Sequence, residues 1–135
     1  MLVSRDLTHY DRLLPYTSGK RLLMLGNHGV EEELSPGEII FEAAVYRTLD
    51  LDDGDYAFDL SSDICHQLDQ GWDVVFNLGT IEHVWDVHAA YSNAARMVAV
   101  GGVFIGHAPV GGDYVEHGMH LTNGNAILRF FQPVS

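Results

Sequence analysis

This sequence predicts an α/β fold with a mainly parallel sheet, and three observations carry that prediction. Short apolar runs at 21–25, 45–49, 73–78 and 103–105 are each too brief for a typical helix and suit strands buried on both faces. Between the last two runs, Val87, Ala90, Tyr91, Ala94 and Val98 recur at helical spacing. A helix that joins two such runs forms a right-handed βαβ crossover, which sets the strands parallel in one sheet. Strands alternating with helices in this way predict a doubly wound sheet of about five strands in a single domain, 1–135.

The elements follow in chain order. The first 19 residues carry Leu2, Leu7, Tyr10, Leu13 and Leu14 in a loose period with Pro15 as a stop, predicting a short helix or an arm. Residues 21–25 form the first strand, and Gly26 supplies the turn after it. Ser35-Pro36-Gly37 interrupts the following segment, which reads as a loop and then a short helix over 38–44. A second strand at 45–49 leads into the acidic turn 50–55 and a short run at 56–60. Ile64, Leu68 and Cys65 would line one face of another short helix before Gly71. Residues 73–78 form the next strand. Asp86 is placed to cap the helix that comes after it, and Gly101-Gly102 to end that helix before the run at 103–105.

Composition narrows the function. Nineteen acids face seven Lys plus Arg, for a formal charge of −12, so phosphate-rich partners are repelled and neither nucleic acid nor an anionic membrane is expected. Thirteen of those acids and one base, Arg47, lie within 31–73, whereas the first 21 residues hold four of the seven bases. Most of the acids read as a solvated face. The single cysteine, Cys65, has no internal disulfide partner, and no apolar N-terminal segment reads as a signal or a span, so a cytoplasmic protein is expected. Cys65 lies in an acidic neighbourhood that disfavours a thiolate, which suits a structural thiol.

The polar loops at 26–29, 50–53, 59–62, 77–82 and 107–112 each follow a predicted strand, so they should share one rim of the sheet, where ligands bind in such folds. Glu82 and His83 on that rim are candidates for acid/base work, histidine being the side chain that exchanges protons near neutral pH. Trp72 and Trp85 read as core or lid residues. His107, His117 and His120 fall close together, but no Cys or His pair at helical spacing backs them, and no metal site is predicted.

Three segments carry a family likeness. GWDVVFNLGTIEHV, its following helix and VGGVFIGHAP form the first; RLLMLGNHG at 21–29 is the second; Asp50 and the pair Asp59-Leu60, each closing a short apolar run, are the third. Over 21–131 the chain resembles a class I S-adenosylmethionine-dependent methyltransferase of the small-molecule branch. The resemblance implies a Rossmann-like methyltransferase fold that lacks the usual last two strands. It implies S-adenosylmethionine as cofactor, held by Gly26, Asn27, His28, Gly29, Asp50, Asp59, Leu60, Asn77, Leu78 and Gly79, with His83 or His117 as proton acceptor for a small-molecule substrate. The physical demands agree: glycine admits close passage of the cofactor's amino-acid end, a carboxylate offers a ribose diol two acceptors, and an acidic rim suits a sulfonium. Met24 stands where the family has an acid, and His28 and Val30 replace its second and third glycines. A non-catalytic binding or oligomerisation module that has lost the cofactor is therefore the alternative. The absent last strands predict a homodimer through the open sheet edge.

Overall fold

The structure is a computed structural model that describes residues 12–26, 41–52, 54–62 and 67–107. Five strands form one sheet in the order β3-β2-β1-β4-β5, with every neighbouring pair parallel. They are β1 (Arg21–Leu25), β2 (Val45–Asp50), β3 (Tyr56–Ala57), β4 (Trp72–Leu78) and β5 (Val98–His107). Among the described residues two α-helices accompany them, α1 (Leu14–Thr17) and α2 (Val87–Met97). The α/β class and the five-stranded parallel sheet are as the sequence predicts. The chain runs outward from β1 to β3 and then restarts on the other side of β1 with β4, so strand order reverses between β1 and β4. No helix among the described residues is long and apolar enough to cross a membrane.

Alternation along the central strands builds two cores, because successive side chains point to opposite faces. Leu22, Met24, Val74 and Phe76 pack with Phe41 on one face. Leu23, Leu25 and Val75 pack on the other, beneath Ala90, Tyr91, Ala94 and Met97 of α2. Strands buried on both faces leave no place for polar alternation, which is why β1 reads as one continuous apolar run. At the amino end of the sheet, Arg21 ties β1 to β4. Its backbone N–H donates to Asp73 Oδ2 at 2.9 Å, its Nε to the Gly71 carbonyl at 3.0 Å, and its guanidinium lies 5.2 Å from the Trp72 ring centre.

Several sequence expectations change. Pro15 opens α1 instead of stopping a helix, since a proline in the first turn gives up an N–H that has no intrahelical partner anyway. Phe41 to Ala44 form turns, not a helix. Their backbone groups serve the segment before β1: the Glu42 carbonyl accepts from Gly19 N–H at 2.9 Å, and Ala44 N–H donates to the Lys20 carbonyl at 2.9 Å. Of the run 56–60, only Tyr56 and Ala57 pair as a strand. Helix α2 ends at Met97, and Val98 already belongs to β5, opposite Trp72. Gly101-Gly102 therefore cap nothing. They lie where the register slips between Trp72 and Val74, and a Cβ on Gly102 would stand 2.7 Å from the Asp73 carbonyl oxygen. The arm at 1–11, the helix start at 38–40, Ile64, Cys65 and the course of the chain after 107 lie outside the described residues.

The link from β2 to β3 is short for parallel neighbours, which usually need a crossover of a dozen residues or more. A polar staple makes it possible. Asp55 Oδ2 accepts the Thr48 N–H at 2.9 Å, and Asp55 N–H donates to Thr48 Oγ1 at 3.1 Å, so the chain folds back beside β2 before rising as β3. Gly54 turns there with φ of 94°, and a Cβ on it would meet Thr48 Oγ1 at 2.8 Å.

Candidate functional site

Four strand ends meet around one cavity of about 520 Å³ at the carboxyl rim, a volume usual for a small-molecule site. Gly26 follows β1; Leu49, Asp50 and Leu51 come from the end of β2; Phe58 to Ser61 follow β3; Thr80 and His83 to Trp85 follow β4. The loops reach this rim by defined contacts. Gly26 takes φ of 87°, open to glycine at little cost, and donates its N–H to the Leu49 carbonyl at 2.6 Å, bending the chain over β2. Gly79 takes φ of 86°. Beyond it, Thr80 Oγ1 donates to the Leu25 carbonyl at 2.8 Å and so bridges β4 to β1 where strand order reverses.

Asn77 shapes the turn that follows β4. Fully buried, it accepts on Oδ1 from the Thr80 N–H at 3.1 Å and from the Ile81 N–H at 3.0 Å. Ile81–His83 is one turn of 310 helix that sinks Ile81 into the α2-side core and leaves His83 exposed at the cavity. Glu82 in the same turn is 2 % exposed. Asp86 caps α2, accepting the Ala89 N–H at 2.9 Å as its position in the sequence predicts.

Both carboxylates of the cavity are partly engaged by their own loops. Asp50 Oδ1 accepts the Leu51 N–H at 2.6 Å, and Asp59 Oδ1 accepts the Ser61 N–H at 2.8 Å, the local turn such residues favour. The loop after β3 is also held from behind. Asn93 on α2, 4 % exposed, donates from Nδ2 to the Leu60 carbonyl at 2.9 Å and to the Ser62 carbonyl at 2.6 Å.

Of the residues the sequence singles out, Gly26, Asp50, Asp59, Leu60 and His83 converge on the cavity. Asn77 and Gly79 support it from the β4 turn, and Leu78 closes β4 opposite His107 in the ladder. Asn27, His28, Gly29 and His117 lie outside the described residues. Trp72 is core, whereas Trp85, 81 % exposed, stands at the cavity. Sequence reasoning passed over Leu51, Phe58 and Val84, apolar residues beside strand ends that read as core. It also missed Asn93, whose signal is a carboxamide on the helix face that carries Ala90, Ala94 and Met97. Among the described residues no three His, Cys, Asp or Glu side chains are grouped to hold a metal ion.

Among solved structures, the chain is similar to a candidate methyltransferase from Bacillus halodurans C-125, with 14 % identity and a TM-score of 0.61 over 94 % of this chain. This chain spans 64 % of the length of that one. The likeness shows a methyltransferase-like, Rossmann-type fold. No family model and no curated protein matches the sequence.

Proposed function

We propose that the rim cavity binds S-adenosylmethionine and that the protein transfers a methyl group to a small molecule. One observation carries this reading: Gly26, Asp50, Asp59 and Leu60, picked from separate loops of the sequence, line a single cavity beside the point where strand order reverses. The residues fit the adenosine half of that cofactor. Gly26 presents backbone without a Cβ, Asp50 offers acceptors for a ribose diol, and Leu49, Leu51, Phe58, Leu60 and Val84 give apolar walls for a flat base. When bound, the cofactor supplies an electrophilic methyl group on a sulfonium. The protein's part is to hold the acceptor in line and exclude water, with His83 at the cavity to take the acceptor's proton.

One observation favours the alternative, a module that no longer binds the cofactor. Met24, where the resembled family has an acid, is buried and packed among Leu22, Val74 and Phe76. Calorimetric titration with S-adenosylmethionine and S-adenosylhomocysteine separates the two readings. Binding that weakens by about 1.5–3 kcal/mol in Asp50→Ala supports the cofactor site, that being the range for a hydrogen bond to a charged group. No heat and no thermal stabilisation at millimolar ligand rejects the cofactor site and directs the search to protein partners.

A further inference from the structure

Resting on the cofactor reading and deepening it, we infer that Trp85 is the platform for the methyl acceptor and that the acceptor is an organic amine, which reaches the site as its ammonium cation. Among the described residues, two exposed large apolar side chains, Leu51 at 60 % and Trp85 at 81 %, border the same cavity from opposite sides of β1. Tyr16 and Val100 are exposed as well but stand apart from it. Single exposed apolar side chains need no explanation, whereas an aromatic ring at the mouth of a concave site beside carboxylates is the composition of a ligand pocket. The ring also stands on a fixed segment. His83 N–H donates to the Thr80 carbonyl at 3.0 Å and Val84 N–H to the Ile81 carbonyl at 2.9 Å, while Asp86 on the other side of Trp85 caps α2. Backbone held on both sides presents the ring ready for a ligand, which lowers the ordering cost of binding.

Charge selects the class of acceptor. Tryptophan attracts a cation over its face more strongly than the other aromatic side chains do, and this cavity sets Asp50 and Asp59 around it, with Asp86 exposed next to the ring. Among the described residues no lysine or arginine lines the cavity, in a chain of formal charge −12, so an anionic acceptor meets repulsion and a cationic one attraction. The two halves of the cavity divide the work. Asp50, Asp59 and Leu60 belong to the β2 and β3 ends, where the adenosine half is placed, whereas His83 and Trp85 both follow β4. An amine held at Trp85 lies on the same side of the cavity as His83, which takes one proton from the ammonium. The nitrogen lone pair then forms the bond to the methyl carbon as the carbon–sulfur bond breaks, with its electron pair staying on sulfur. The products are the methylated ammonium and a neutral thioether, and the proton on His83 leaves to water.

The test uses benzylamine, a cation at neutral pH, and benzyl alcohol, a neutral molecule of nearly the same shape. Affinity for S-adenosylhomocysteine is measured first; each probe is then titrated into the protein saturated with it and followed in amide and indole N–H spectra. The wild type should bind benzylamine about threefold or more tightly than benzyl alcohol, with the Trp85 indole N–H shifting as the amine binds. Trp85→Ala should remove most of that preference, change S-adenosylhomocysteine affinity less than about twofold and melt as the wild type does, because the ring lies largely outside the core. Trp85→Phe keeps a weaker ring and should retain part of the preference. Equal affinity of the wild type for the two probes overturns the amine. A preference unchanged in Trp85→Ala overturns the platform, and so does a matching loss of S-adenosylhomocysteine in that variant, which puts the ring on the cofactor. If S-adenosylhomocysteine binds and benzylamine does not, the inference fails and the cofactor reading stands. If S-adenosylhomocysteine itself does not bind, both fail.

Discussion

Replacing Asn93 with alanine tests how the cavity wall is held. The side chain sits on the inward face of α2 and makes two hydrogen bonds, at 2.9 and 2.6 Å, to carbonyls of the loop after β3. Each net hydrogen bond is worth about 0.5–1.5 kcal/mol, and Leu60, buried at 5 % exposure, is left with a carbonyl short of a partner, so the loss should reach about 2–3 kcal/mol. For a chain of 135 residues, at about 3–5 °C per kcal/mol, that lowers the melting temperature by about 6–15 °C. Asn93→Asp separates the donor's role from packing. It keeps the shape but turns an acceptor toward two carbonyl oxygens, so it should cost more than alanine does. Guanidinium denaturation gives both free energies. In the same variants the loop 59–62 loses its tether, and any ligand bound against Asp59 and Leu60 should weaken in parallel. A loss under about 0.5 kcal/mol in Asn93→Ala, or an Asn93→Asp variant as stable as the wild type, refutes the tether.

Two glycine substitutions probe the backbone that shapes the sheet. Gly54→Ala places a Cβ 2.8 Å from Thr48 Oγ1 on a residue at φ of 94°, and should cost about 1–3 kcal/mol in urea denaturation while loosening the Asp50–Leu51 lip of the cavity. Gly102→Ala drives a Cβ to 2.7 Å from the Asp73 carbonyl oxygen and 2.9 Å from that of Ala99. Neither backbone atom yields easily, so a loss of about 2 kcal/mol or more is expected, with the melting temperature as the check.

The strands were legible because apolar runs bounded by glycine have few other readings. Residues 21–25 and 73–78 fall within a residue of β1 and β4, and Asp86 marks the start of α2 correctly. The end of α2 was not legible. A glycine pair after an amphipathic helix suits a cap as well as a close approach between strands, and only the Asp73 carbonyl, distant in sequence, decides between them. Pro15 misled for a similar reason, since proline stops a helix or starts one according to which side of it packs. At the site, charge and glycine could be read from the sequence. The walls could not, because Leu51 and Phe58 differ from core residues only in where the short β2–β3 link leaves them. Nor could the burial of Glu82, which in sequence is one more acid in an acidic chain.

That burial bears on how the molecule divides stability from function. At the amino end of the sheet Arg21 answers Asp73, Gly71 and Trp72, and beyond them Arg96 answers Asp69, while the buried Thr17 hydroxyl before β1 has no hydrogen-bond partner among the described residues. At the carboxyl end the groups that shape loops are satisfied, among them Asn77 Oδ1, the Thr80 hydroxyl and the Asn93 amide. Two that shape nothing, Asn77 Nδ2 and Glu82 Oε1, stay open. Folding alone would favour an apolar side chain at position 82, as at Ile81 beside it. Proteins break such local rules mostly where a site requires it. Glu82 falls between Thr80 and His83, which line the cavity that four strand ends build, although neither Glu82 nor Asn77 lines it. A melting temperature of Glu82→Gln at or above that of the wild type would distinguish a carboxylate that folding does not need from one kept for the fold.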